Sequence, residues 1–213
     1  MKKIGIDFSL NSPALCINDG ERLSFVSLFN CEGVEWNRTV KPIKRFECHN
    51  SISPFVELSP YVRGDEGKLE YIAEQRVKLG EASMLASLVM SYLPENDCVV
   101  SLEGFSYNSN GSSYIDLVMY NSFLRKSLTE RYGPERIFIV SPAENKKFAS
   151  GNGNANKEKM IEAFLANRSN DSMLAESGFY KYLKSSTLDY KHIKPIDDLV
   201  DAYWLQRYVD VNF

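Results

Sequence analysis

Residues 3–8 read KIGIDF, and this short stretch decides the prediction of the fold. Ile4 and Ile6 alternate with Gly5 and Asp7, which is the two-residue period of a β-strand that has one apolar face. Asp7 ends the strand, so a carboxylate is expected at the edge of a sheet. A solvated turn contact and a functional role are both open for Asp7, since this position alone does not separate them.

Two further strands are predicted directly after the first. Residues 13–18 (PALCIN) and 22–29 (RLSFVSLF) are rich in strand-forming residues, and the turn 18–20, Asn-Asp-Gly, is typical of a tight hairpin. Three antiparallel strands therefore open the fold. Residues 30–68 are interrupted by prolines and are predicted to be an irregular or short-stranded insertion.

From residue 69 onward, helices and strands alternate. The predicted elements are a helix at 69–92, a strand at 97–105, a helix at 114–132, a strand at 136–142, a helix near 156–167 and a terminal helix at 196–209. Pro142 is interpreted as the start of a connection, and residues 168–195 as a polar, partly helical stretch. This order predicts an α/β fold, with a mixed five-stranded sheet flanked by helices in a single domain spanning 1–213.

The composition is that of a folded protein and disfavours several other classes. Of the 213 residues, 44% are hydrophobic and 25% are charged. Neither a long apolar run nor a secretory signal is found, so we expect a cytoplasmic protein with no membrane partner. Four scattered cysteines and two histidines lack the spacing of a zinc site or a disulfide framework. Because the net charge is -3, any contact with DNA needs a local basic patch.

Acidic residues recur where metal-binding carboxylates are found. Glu103 ends a predicted strand, as Asp7 does, and Asp198 and Asp201 are three residues apart on one face of the terminal helix. Asp197 also shares a face with Asp201, but an acid at a helix start is stabilised by the helix dipole, and this explanation is preferred for Asp197. Converging carboxylates bind hard cations, and without His or Cys in the set magnesium or manganese is favoured over zinc.

Four segments make the chain resemble RuvC-type Holliday junction resolvases, especially the longer forms found in bacteriophages. They are IGIDFSL at 4–10, VVSLEGFSY at 99–107, SPAENKKFASGNGNANKEKM at 141–160 and DDLVDAYWL at 197–205. Their order and approximate spacing match the family. The third segment, with its lysines and its Gly-x-Gly-x-Ala-x-Lys pattern, is the most specific, whereas the first also opens actin-like ATPases and sugar kinases. The resemblance implies a ribonuclease-H-like fold.

The resemblance also implies a set of metal ligands. Asp7, Glu103, Asp198 and Asp201 would hold two Mg²⁺ ions per site, with Mn²⁺ as a substitute, because the family ends its catalytic set with Asp-x-x-Asp-Ala on the last helix. Asp197 would then be a neighbour of the metal site and not a ligand.

Further residues would contact DNA by the same resemblance. They are Lys146, Lys147, Lys157, Lys159, Phe105 and Tyr107. Lys146 and Lys157 would stabilise the phosphate or its transition-state charge, so Lys157 is counted with the catalytic set, and the other two lysines would contact phosphates generally. The two aromatic residues would wedge or stack at the junction, unless either one anchors its own loop.

The activity implied by the resemblance is hydrolysis of a DNA phosphodiester by in-line attack of water, leaving a 5′-phosphate and a 3′-hydroxyl. The expected substrate is branched DNA, a four-way junction, which a homodimer cuts during DNA recombination and repair in a bacterial or phage-infected cell. Three alternatives stay open. They are a nuclease of broader specificity for branched or single-stranded DNA, a non-catalytic DNA-binding scaffold, and an actin-like ATPase. The ATPase is disfavoured, because 213 residues cannot hold the two lobes of that fold.

Overall fold

The computed structural model describes residues 1–9, 12–29, 56–57, 71–105, 112–185 and 195–213. The strands are β1 (Lys2–Asp7), β2 (Ala14–Asn18), β3 (Leu23–Phe29), β4 (Val56–Glu57), β5 (Cys98–Glu103) and β6 (Ile137–Val140). The helices are α1 (Tyr71–Tyr92), α2 (Ser112–Tyr132), α3 (Pro142–Ser150), α4 (Lys157–Ala166), α5 (Ser172–Glu176), α6 (Gly178–Ser185) and α7 (Ile196–Asn212). No helix within these ranges has the length and hydropathy needed to cross a membrane.

The strands form one sheet in the order β4-β3-β2-β1-β5-β6. β2 is antiparallel to both of its neighbours, whereas the β1–β5, β5–β6 and β3–β4 pairs are parallel. The hairpin between β2 and β3 turns at Gly20, where φ is 94°. This is the predicted α/β sheet of the ribonuclease-H-like fold, with its antiparallel opening followed by parallel strands.

The sheet contains the five predicted strands, and a sixth strand, β4, lies at its edge beside β3. The two-residue strand β4 pairs with the end of β3 and extends the sheet at that edge. It comes from the predicted insertion, and the rest of that insertion lies outside the described residues. A short strand agrees with the prediction that residues 30–68 are irregular or short-stranded.

Helices cover both faces of the sheet. On one face, α1 and α2 pack against Ile4, Ile6 and Leu102, all of them fully buried. On the other face, α4 to α7 enclose a second core that includes Phe25 and Tyr203. The alternation of side chains along β1 separates the two cores, since Gly5 faces the side opposite to its isoleucine neighbours.

The terminal helix α7 lies directly on β1, so closely that only glycine fits at residue 5. A Cβ atom there would overlap the carbonyl oxygen of Ala202 and the amide nitrogen of Gln206. Lys3, at the start of β1, donates a hydrogen bond of 2.7 Å to Asp210 near the end of α7. The helix therefore runs antiparallel to the strand, and its first turns lie over the carboxyl end of β1.

Residues 142–150 form a helix where the sequence pattern predicts a connection. The Ser141 side chain accepts a hydrogen bond from the Glu144 amide, and the Glu144 carboxylate accepts one from the Ser141 amide. This reciprocal capping box, with Pro142 in the first turn, starts α3. The interpretation of the proline is wrong, because a proline at a helix start and a proline in a loop look alike without the cap.

Candidate active site

Asp7 and Glu103 are neighbours at the carboxyl edge of the sheet. β1 and β5 pair in parallel register up to the residues just before them, so the two acids lie on adjacent strands, whose backbones are about 5 Å apart. Each lies two residues after a position that faces α7, namely Gly5 and Ser101, and Ser101 Oγ donates to the Leu205 carbonyl at 2.7 Å. The side chains of both acids therefore point to the face that carries α7.

Asp198 and Asp201 reach this region from the first turns of α7. Asp198 is only 3% exposed, and Ser12 Oγ donates a hydrogen bond of 2.6 Å to its Oδ2 atom. Asn145, which is buried on α3, donates from Nδ2 to the backbone carbonyl of Asp201 at 3.4 Å. The start of α7 is thus fixed against the loop before β2 and against α3.

Glu103 and Asp201 interact electrostatically with Asp198, and Asp201 also interacts with Asp197. Burial raises the pKa of Glu103 to about 7, with Lys146 opposing the rise and Asp198 adding to it. Burial also raises the pKa of Asp201 to about 8, and the charges of Glu103, Asp198 and Asp197 add to that rise. Buried like charges disfavour full ionisation unless a proton or a cation compensates them. A bound cation would therefore stabilise the ionised form of the site.

The donor set fits a hard divalent cation by chemistry and by charge, because it offers carboxylate oxygens alone. As the side chains stand, however, no three Asp, Glu, His or Cys residues in the described ranges come close enough together to hold a metal ion. Asp198, for example, is turned towards Ser12. Metal binding would require the carboxylates to turn towards a common point.

Two of the four predicted lysines lie at this acidic group. Lys146, half-buried on α3, acts electrostatically on both Glu103 and Asp201. Lys157, the first residue of α4, forms an ion pair with Asp197. The other two predicted lysines, Lys147 and Lys159, are exposed on the same two helices.

Phe105 follows the acidic strand end and is held from two sides. Its ring packs edge-to-face on Tyr114, with 5.9 Å between the centroids, and the Arg125 guanidinium lies 4.4 Å over it. Arg125 also donates to the backbone carbonyl of Glu103 at 3.4 Å. These contacts favour the loop-anchoring role that the sequence leaves open for Phe105. Tyr107 lies outside the described residues.

Three residues at the site, Ser12, Asn145 and Arg125, are not predicted by any sequence pattern. They contact partners that are 186, 56 and 22 residues away in the chain, so no local pattern connects them to the acids. A Ser or Asn near a motif is too common to be a signal. Only the folded arrangement identifies these residues.

Fold and site together define a class: a ribonuclease-H-like α/β protein that has a buried carboxylate group and flanking lysines at the carboxyl edge of its sheet. No family model and no curated protein matches the sequence. A solved structure of Thermus thermophilus RuvC is similar over 100% of this chain and 97% of its own, with 16% identity and a TM-score of 0.48.

Two other solved structures are similar in the same way. RuvC of T. thermophilus in complex with Holliday junction substrate matches over 100% of this chain and 96% of its own, at 16% identity and a TM-score of 0.48. The yeast mitochondrial Holliday junction resolvase Ydc2 matches over 95% of this chain and 75% of its own, at 15% identity and a TM-score of 0.45. At these identities the likeness concerns the fold alone.

Proposed function

We propose that this protein is a divalent-metal-dependent endonuclease that resolves four-way DNA junctions by hydrolysing phosphodiester bonds. The observation that carries the proposal is the buried, like-charged group at the carboxyl edge of the sheet. Glu103 and Asp201 have pKa values raised to about 7 and about 8 there, and Asp198 and Lys146 adjoin them. Buried acids with strongly raised pKa values are typical of a functional site.

Asp7, Glu103, Asp198 and Asp201 would hold the metal, in our proposal two Mg²⁺ ions with Mn²⁺ as a substitute. When bound, such ions activate water and stabilise the leaving oxygen of a phosphodiester. The chain's own contribution is to fix the ligands. Gly5 lets α7 approach β1, and Ser12 orients Asp198.

The lysines would bind the DNA strand at the edge of the acidic group. Lys146 and Lys157 lie next to the acids and would contact the phosphate that reacts, where positive charge stabilises the additional negative charge of the transition state. The exposed Lys147 and Lys159 would bind flanking phosphates. This local basic patch would compensate for the net charge of -3.

The four-segment sequence resemblance supports the choice of four-way junctions as the substrate and of a homodimer as the active form. Two copies would place two sites on symmetric strands of one junction. Recombination and repair of DNA in a bacterial or phage-infected cell is the setting we propose. The expected products are nicked duplexes that carry 5′-phosphates.

A cleavage assay tests the proposal. The protein is incubated with junction, flap, duplex and single-stranded DNA, with Mg²⁺ or with EDTA. We expect metal-dependent cutting of the junction and a loss of cutting of about 10²-fold or more in Glu103→Gln and Asp201→Asn, because each substitution removes a ligand. The exposed acids Glu176 and Asp97 give the matched controls Glu176→Gln and Asp97→Asn, which should retain cleavage.

Each contrary result has its own meaning. Equal cutting of all four DNAs would replace junction resolution by a broader nuclease activity. Binding of the junction without cleavage under any metal condition would indicate a DNA-binding scaffold. Full activity of Asp201→Asn would refute the assignment of the metal ligands.

A further inference from the structure

Asp197 and Lys157 form an ion pair that the metal-ligand assignment leaves without a role. Asp197 lies in the first turn of α7, directly before Asp198, and its side chain is only 5% exposed. Lys157 is the first residue of α4, and half of its side chain is exposed. The acid is thus fixed inside the protein while the amine reaches it from the solvent side.

The elements that carry the pair are held together independently of it. The Trp204 indole of α7 donates to the backbone carbonyl of Met160 in α4 at 3.4 Å. The Asn156 side chain accepts from the Lys159 amide and caps the start of α4. Because both backbones are fixed, the ion pair decides where one flexible side chain lies.

The pair lies at the border of the acidic group. Asp197 and Asp201 are four residues apart in α7, so they share one face of the helix. The ion pair holds the Lys157 ammonium at Asp197, one residue before the proposed ligand Asp198. A phosphate bound at the acidic group would meet this ammonium at the rim.

We propose that Asp197 is a positioning residue, which holds the Lys157 ammonium at the rim of the carboxylate group, where the reacting DNA phosphate binds. This inference rests on the proposed nuclease function. A free lysine side chain has many rotamers, and a small displacement of a group that contacts a transition state lowers the rate strongly. The sequence pattern gives Asp197 only a helix-start role, whereas the structure pairs it with the lysine of the most specific motif.

A double-mutant cycle tests the inference. Asp197→Asn, Lys157→Gln and the double variant are compared with the parent in kcat and KM for junction cleavage. We expect Asp197→Asn to lower kcat about 10-fold, as loss of an orienting partner does, with KM within about 3-fold of the parent. In the Lys157→Gln background, Asp197→Asn should cause no further loss. Multiplicative losses would overturn the inference, because they would mean that Asp197 acts independently of Lys157.

Asp210 gives a matched control on the same helix. It pairs with Lys3 at 2.7 Å at the far end of α7, away from the acidic group. Asp210→Asn should lower the thermal midpoint while kcat stays at the parental value. If Asp197→Asn and Asp210→Asn reduce kcat alike, the role of Asp197 is structural and the inference fails.

A second substitution at Asp197 keeps the test valid if Asp197→Asn fails to fold. Asp197→Glu keeps the charge but lengthens the side chain, so it should displace Lys157, lower kcat partially and have no effect once Lys157 is Gln. A parent that cleaves no DNA with any metal would refute the proposed function and this inference together. A parent that cleaves, with Asp197 variants equal to it, would refute the inference alone.

Discussion

The ionised side chains of Glu103 and Asp201 destabilise the folded protein. Neutral substitutions at these residues should therefore increase its stability. Their pKa values of about 7 and about 8 mean that the charged forms are disfavoured in the folded protein at neutral pH. Glu103→Gln and Asp201→Asn should therefore each raise the free energy of unfolding by about 1–3 kcal/mol at about pH 8 in EDTA. Chemical denaturation with EDTA present measures this change.

A matched control separates this effect from a general loss of charge. Glu176→Gln removes an exposed acid paired with Lys181 and should leave the free energy of unfolding nearly unchanged. If Asp201→Asn destabilises the metal-free protein, contacts in the fold stabilise the Asp201 carboxylate. The ionised site would then not need a bound cation for stability.

Ser12 should matter for metal affinity because it fixes the orientation of Asp198. Its hydroxyl donates at 2.6 Å to a carboxylate that is 3% exposed. Ser12→Ala should raise the Mg²⁺ concentration for half-maximal cleavage about 10-fold. Ser122→Ala, which removes an exposed hydroxyl bonded within α2, is the control and should not shift it. An unchanged Mg²⁺ dependence in Ser12→Ala would show that Asp198 is not a ligand or does not need this partner.

The acids were predictable from sequence and their partners were not. Asp7 and Glu103 end apolar strands, and Asp198 and Asp201 recur on one helical face, so local patterns mark them. The hydroxyl of Ser12 reaches its acid across 186 residues of chain. Such contacts depend on the tertiary structure, which a local sequence pattern does not predict.

At the scale of elements, the packing of α7 on β1 places two of the four predicted ligands. A Cβ atom at residue 5 would overlap the backbone of α7 at Ala202 and Gln206. Gly5→Ala should lower the free energy of unfolding by about 3 kcal/mol or more and abolish cleavage, because the helix must move away. Thermal or urea denaturation measures the first effect.

Gly80 provides the control for this prediction. It lies inside α1, and a Cβ atom added there would meet nothing within 4 Å beyond its own helix and chain neighbours. Gly80→Ala should therefore be neutral or stabilising by up to about 1 kcal/mol. A Gly5→Ala protein as stable and active as the parent would show that α7 does not need to lie so close to the strand.

The elements themselves follow from the sequence wherever periodicity is strong. The hairpin, the parallel strands and the long helices lie within a few residues of their predicted positions. The sequence pattern does not predict α3, because a proline favours a connection there, although Ser141 and Glu144 carry the capping signal. The position of β4 within the predicted irregular or short-stranded insertion does not follow from the sequence, because a strand of two residues has no period. These differences are local, and the prediction of antiparallel N-terminal strands followed by parallel strands is confirmed.

At the scale of the whole molecule, the acidic group couples stability to pH and metal. The two raised pKa values, about 7 and about 8 against ordinary values of 4.5 and 3.8, mean that the folded protein holds protons that the unfolded chain has released. The stability from these groups is present at low pH and is lost as pH rises through the folded-state pKa values. In the proposed function Mg²⁺ binds the ionised carboxylates, so adding it should restore the lost stability.

Thermal unfolding of the parent across pH, with Mg²⁺ and with EDTA, tests this coupling. At about pH 5 the acids are protonated in the folded protein, so Mg²⁺ should leave the thermal midpoint unchanged, whereas at about pH 8.5 it should raise the midpoint by several degrees. The Asp201→Asn protein should lose most of that increase, because one proposed ligand is removed and the site carries less negative charge. A Mg²⁺ effect equal at both pH values, or equal in Asp201→Asn, would mean that the cation binds elsewhere on this acidic protein.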